Sequence, residues 1–292
     1  MLSLHTNASS LSAQVSMGKT QSALSTSMTR LSTGYRINSA MDDAAGLQIA
    51  TRLKAQTSGM AVAMRNTQNA TSMMQTAEGS LSEVTNMLTR MKDLATQAAD
   101  ASSSTTDKTA MQSEYDSLTA ELSNLMSNTT FGGTNLFNKT TGALATAGGL
   151  TFQIGASSSE TMNVDTSTAV GALDTALTAA SAEYKGDGTY TAATGTELTA
   201  NANATIDKLS TAIDAVGTVR SQLGAAGNSL EHIYNNLSNM STNVTQAAGR
   251  ITDVDYATET SNMTTQQMLM QAGTSMLKQS NSMSQMVLSL MQ

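Results

Sequence analysis

Two histidines, no cysteine and one close set of arginines and aspartates hold most of the reactive potential of this chain. His5 and His232 stand far apart on unrelated predicted helices, so they do not supply the convergent groups that acid–base chemistry needs. No HExxH, GxSxG or phosphate-binding glycine loop occurs. The stretch GGTNLFNKTTG holds glycines but lacks the lysine–serine ending of a phosphate loop. Without cysteine there is no thiolate and no disulfide framework. The chain therefore reads as a non-enzyme, with no cofactor and no metal.

What remains is the polar stretch LSTGYRINSAMDDAAGLQIA, residues 31–50, with Arg30 just before it. Gly34 suits the C-terminal cap of a helix ending near Leu31. Ser39 with Asp42 matches a capping box, and Asp42 and Asp43 then fall in a first turn, where a helix N-terminus favours negative charge. The stretch reads as a joint between two helices, with Arg30 and Arg36 near Asp42 and Asp43. Local chemistry leaves two readings open: an ordinary solvated turn, or a joint held in a fixed pose by a neighbour.

The elements around that joint are long helices. The 292 residues contain no proline, where average usage predicts roughly 15. Proline breaks helix interiors. Hydrophobic content is 39% and aromatics only 3%, so packing must rely on small side chains and on 21 methionines, which adapt to irregular gaps. A net charge of −7 with no basic stripe argues against nucleic acid. No apolar run is long enough to span a membrane, and MLSLHTNASSLSAQ lacks the charged and apolar regions of a secretory signal.

Heptad spacing marks the seams. One runs Leu209, Val216, Leu223, Leu230, Leu237, Val244, Ile251, with a second row at Ile206, Ile213 and Tyr234. Another runs Leu53, Met60, Thr67, Met74, Leu81, Leu88, with Ala63, Ala70, Ala77, Val84, Met91 and Ala98 as partners. A shorter helix carries Met111, Tyr115, Leu118, Leu122 and Leu125, with Asp107 as its cap. These predict a mainly α fold, a long antiparallel coiled-coil bundle. LTFQIGASSSETMNVD alternates as a small β-hairpin, and residues 185–197 read as an exposed Gly/Thr-rich loop.

Both ends are amphipathic and almost uncharged. Leu4, Leu11, Leu24 and Leu31 lie on apolar faces at the start; Leu269, Met276, Met283 and Leu290 repeat at seven at the end. Helices this rich in Ser, Thr and Gln are marginal alone in water. They could lie on a membrane, but the basic polar face this requires is missing. They could pair within one molecule, or pair and also pack against other copies. Apolar residues on more than one face with few charges favour the last.

RLSTGYRINSAMDDAAGLQIATRL, QTAEGSLSEVTNMLTRMKDLATQAA, LTFQIGA and QAGTSMLKQSNSMSQMVLSLMQ closely resemble bacterial flagellin, over about the first 165 and last 95 residues. The start LSLHTNASSL is more similar to lateral, swarming-type members. The resemblance implies a discontinuous inner domain, D0, of paired N- and C-terminal helices (residues 1–41 and 257–292). It implies a second domain, D1, from 42–165 and 199–256, with 166–198 as a short variable surface region. It further implies unfolded export through a type III channel with an export chaperone, and homopolymerisation into an extracellular filament alongside hook-associated junction and cap proteins. The joint at Arg30, Arg36, Asp42 and Asp43 matches the D0–D1 connector. Arg90, Leu94 and Glu114 match positions contacted by the flagellin-sensing Toll-like receptor, with Thr89 and Asp93 departing from the commoner residues.

Three other classes compete. A hook–filament junction protein shares the terminal helices but should not form long filaments alone. A flagellin-borne metallopeptidase needs a zinc motif, and residues 130–200 contain no histidine. A signalling coiled coil explains the heptads but neither the uncharged ends nor the hairpin.

Overall fold

The computed structural model describes residues 7–187, 190 and 195–290, the side chains of 284, 285 and 287–290 excepted. In chain order the elements are α1 (Ala8–Thr33), α2 (Ala44–Ala99), α3 (Thr105–Asn128), β1 (Thr130–Phe131), β2 (Thr134–Asn135), β3 (Leu150–Gln153), β4 (Thr161–Val164), α4 (Ser167–Ala180), α5 (Glu197–Thr252) and α6 (Tyr256–Leu290). They fall into two compact units. One comprises residues up to Thr57 and from Thr242 onward; the other is Ser58–Ser241.

The Ser58–Ser241 unit holds the main core. The α2 residues at heptad spacing from Met60 to Ala98 are buried, Thr67 included. Thr67 satisfies its hydroxyl by donating to the Ala63 carbonyl at 2.9 Å, so a polar residue sits in the seam without an orphaned group. On α5 the row Leu209, Val216, Leu223, Leu230 and Leu237 is buried as expected. Its companion row differs from expectation. Ala202, Thr205, Ala212, Val219 and Ala226 are buried, whereas Ile206 and Ile213 pack only against the core edge.

Two further elements differ from what the sequence predicts. Ser104, not Asp107, is the N-cap of α3; Asp107 returns the bond to the Ser104 backbone, completing a capping box. Residues 166–198 were expected at the surface. Instead α4 buries Val170, Leu173, Leu177 and Ala180, and Tyr184 just beyond it is also buried. These side chains join the core that includes Tyr115, whose hydroxyl donates to the Ala180 carbonyl at 2.8 Å.

The predicted hairpin is present, with Leu150 opposite Val164 and Phe152 opposite Met162. A second, very short hairpin joins β1 to β2 through Gly132 and Gly133, both at positive φ (58° and 83°). That two-residue turn needs left-handed backbone at both positions, which glycine adopts without strain.

In the other unit α1 and α6 pair antiparallel. Asn7 at the start of α1 meets Ser280, and Arg30 near its end meets Glu259. Among the described residues no helix is long and apolar enough to cross a membrane.

Candidate assembly surface

The α1–α6 pair is built on an unusual seam. On α1 the buried or half-buried positions of the seam run Ser10, Ala13, Met17, Thr20, Leu24, Ser27 and Leu31; on α6 they run Glu259, Met263, Gln266, Met270, Gly273, Leu277 and Ser280, with Ser27 and Glu259 the buried two. Both series alternate steps of three and four, the spacing of a coiled-coil seam. Half of these side chains are polar or minimal, so the seam itself buries little apolar surface. Leu24 and Leu31, which the sequence places with the polymerisation residues, lie in this intramolecular seam.

The stripe repeating at seven on α6 does not. Leu269, Met276 and Met283 are 52%, 68% and 54% exposed. At 100° per residue they lie on the flank of α6 beside the seam, while Met268 and Met286 lie on the far side; both of these are exposed as well. On α1, Leu11, Val15 and Met28 are also exposed. Leu4 and the Leu290 side chain lie outside the described residues, as does His5.

The joint next to this pair is fixed by the opposite end of the chain. Arg36 N–H donates to the Thr252 carbonyl at 2.6 Å, and Val254 N–H to the Gly34 carbonyl at 3.0 Å. Between them Tyr35 and Asp253 form an antiparallel bridge. The Arg36 guanidinium adds a bond to the Ile251 carbonyl at 2.8 Å. Gly34 caps α1 in the left-handed conformation (φ 77°) and donates to the Arg30 carbonyl, which brings the strand-like turn into position. The backbone of the joint is thus tied to residues 251–254, while Tyr35, Arg36 and residues 38–42 are exposed.

Helix α2 starts later than expected. Asp43 is its cap, accepting from Gly46 N–H at 2.8 Å. Asp42 instead closes the turn before the helix, accepting from Ser39 N–H at 2.9 Å and Asn38 N–H at 3.1 Å. Those backbone donors, with the Ser39 hydroxyl and Arg30, hold the Asp42 carboxyl below its usual range. Arg30 lies 3.8 Å from Asp42 and 3.9 Å from Glu259, so one guanidinium faces both the connector and α6.

Arg90 and Glu114 are exposed and joined at 2.6 Å through two guanidinium donors. Leu94 does not share that surface. It is 3% exposed and belongs to the core, one helical turn inward from Arg90.

A cluster not anticipated from the sequence ties α3 to the start of α5. Gln112 Nε2 donates to Asp116 (2.7 Å) and Glu197 (3.0 Å), and its Oε1 accepts from Leu198 N–H at 2.7 Å. Glu183 is 2% exposed, and its Oε1 has no hydrogen-bond partner among the described residues. Burial, then the neighbouring carboxylates, raises the Glu183 and Asp116 carboxyls. Among the described residues no group of His, Cys, Asp or Glu could hold a metal ion.

The chain matches the family model for the bacterial flagellin N-terminal helical region over residues 4–142 and that for the C-terminal helical region over 206–291. It is 40% identical over 161 residues to polar flagellin C of Vibrio parahaemolyticus, covering 55% of this chain and 40% of that protein. It is 38% identical over 163 residues to B-type flagellin of Pseudomonas aeruginosa, covering 56% and 32%. The aligned stretch thus spans less than half the length of these curated relatives. A putative flagellar hook-associated protein from Vibrio parahaemolyticus shares the fold, with a TM-score of 0.56 at 17% identity over 73% of this chain and all of that one. Both helical ends, the seams that pair them and the joint between them place this chain in the bacterial flagellin family.

Proposed function

We propose that this protein is a structural subunit that polymerises into a bacterial flagellar filament for motility. The observation that carries the reading is the row Leu269, Met276 and Met283, large apolar side chains left on the surface of a helix whose partner is already in place. Each such side chain gains about 1.5–3 kcal/mol on full burial, and copies of the same chain offer a repeating way to obtain it. Leu11 extends the apolar surface onto α1, with Leu4 and Leu290 as further members of the set. In this reading residues 1–41 and 257–292 form the inner domain D0, and Arg30, Arg36, Asp42 and Asp43 hold its connector against neighbouring subunits.

The family membership supports further parts of the same reading. The chain would leave the cell unfolded through the flagellar type III channel, guided by an export chaperone, and assemble outside it between hook-associated junction proteins and a cap. The exposed Arg90–Glu114 pair would be the part of the Toll-like receptor epitope open to contact; Leu94 would support it from within.

The test is Met276→Asp in a strain lacking its own flagellin, examined by electron microscopy of cells and culture medium. Secreted, folded monomer without filaments is the expected result. Normal filaments would overturn the assignment of the assembly surface. The competing junction-protein reading predicts that the unmodified purified chain makes no long filaments after seeding.

A further inference from the structure

We infer that the exposed thioethers of α6 are an oxidative modification site, at which methionine sulfoxide formation by a peroxide-class oxidant blocks assembly. The inference rests on the filament reading and names a regulation of the same surface. Of the six large hydrophobic side chains exposed along α6 among the described residues, four are methionines: Met268, Met276, Met283 and Met286. A stripe of leucine would bury as much apolar area. Methionine adds a nucleophilic sulfur, carried here on side chains that are 54% to 68% exposed in the monomer.

The chemistry is self-contained. The thioether sulfur attacks one oxygen of hydrogen peroxide, the O–O bond breaks, an S–O bond forms, and the other oxygen leaves as water after proton transfer. Sulfur loses two electrons and the peroxide gains them. The product is a polar, chiral sulfoxide in place of an apolar side chain. Covering it in an interface would take a strong hydrogen-bond acceptor out of water, at a cost unless a donor is aimed at it. The hydroxyls of Thr264, Thr265, Thr274, Ser275 and Ser282 on α6 already donate to backbone carbonyls, and Lys278 is the only charged donor after Glu259.

The protein also holds its own internal controls. Met60, Met74, Met91 and Met126 are buried in the main core, where peroxide does not reach without unfolding. Met28, Met41 and Met240 are exposed outside α6. Oxidation should therefore be selective by burial in the monomer. It should become selective against α6 once copies cover that helix.

The experiment uses full-length monomer treated with hydrogen peroxide, mapped by peptide mass spectrometry and then mixed with untreated seeds. The α6 methionines should oxidise at least about tenfold faster than the four core methionines, and elongation should fall at least about tenfold. A variant with Met268, Met276, Met283 and Met286 all changed to Leu should elongate equally well before and after peroxide. Treatment with methionine sulfoxide reductase should restore the wild-type protein. Undiminished elongation by monomer whose α6 sulfoxides are confirmed would overturn the proposal. So would equal loss in the Leu variant, which would assign the effect to methionines outside that set, such as Met28, Met41 or Met240. Failure of untreated monomer to elongate would instead overturn the filament reading, while the oxidation map would still report the selectivity of the site.

Discussion

Arg30 and Glu259 come from opposite ends of the chain, yet the guanidinium lies 3.9 Å from a carboxylate that is almost wholly buried. The contact sits where the α1–α6 seam meets the connector, and the same guanidinium faces Asp42 at 3.8 Å. Arg30→Met keeps the apolar stem but leaves Glu259 buried without its counter-charge. Because Arg30 remains partly exposed, the expected loss is roughly 1–2 kcal/mol, below that of a fully buried pair. It should appear as a lower dissociation temperature of filaments. Adding Glu259→Gln to the Arg30→Met protein should recover part of it, and no recovery would mean that the pair is not coupled.

The seam of α1 and α6 contains Ser10, Thr20, Ser27, Gln266, Gly273 and Ser280 where coiled coils usually place leucine. The pair should be far weaker than the Ser58–Ser241 core. Hydrogen exchange of the monomer should show α1 and α6 exchanging at least about a hundredfold faster than the buried rows of α2 and α5, and slowing on assembly. Equal protection in the monomer would contradict this.

Leu223 is fully enclosed in the α5 row. Leu223→Asp places an unpaired charge there, and the expected cost exceeds about 4 kcal/mol. Circular dichroism should report loss of most helical signal at 25 °C; a native-like melt would mean the row is not the core.

The Asp116–Glu183–Glu197 cluster gives a pH dependence of opposite sign to ordinary acid denaturation. Asp116 and Glu183 have raised carboxyl pKa values, chiefly from burial. The folded state therefore binds these protons more tightly than the unfolded chain, so the stability the two groups contribute is fully present below the unfolded carboxylate pKa of about 4 and is lost as pH rises through their higher folded values. Glu183→Gln should raise the melting temperature by a few degrees at pH 7 and flatten that slope, while changing little at pH 4. A variant less stable than wild type at pH 7 would count against the carboxylate strain.

The long seams were legible because a repeat of seven over many turns leaves few alternative folds, and Met60 through Ala98 shows this without exception. Capping was legible in kind but displaced in place. Ser39 and Asp42 do bond to each other, yet the helix begins only after Asp43; the same short polar contact closes a turn as readily as it caps a helix. Helix α4 was missed although Val170, Leu173 and Leu177 have helical spacing. Its many alanines and threonines, followed by glycines, resemble loop composition. The Glu183 cluster left no local signal, since its members come from three separate segments. The burial of Leu94 was within reach: it stands one turn after Arg90 and three residues after Met91, on the face of α2 that already carries the seam.

The bridge between Tyr35 and Asp253 also sets an order of events. Its bonds, and those of Arg36 to Ile251 and of Asn7 to Ser280, join segments separated by 215 and 273 positions. Closing loops of that length costs about 5 kcal/mol beyond a constant, and the seam returns little apolar burial against it. The terminal unit can therefore form only after the last residues of the chain have arrived and the central unit has folded. A chain halted short of residue 254 would lack α6 and present a folded middle with α1 left without its partner, a species able to fold but unable to join a lattice.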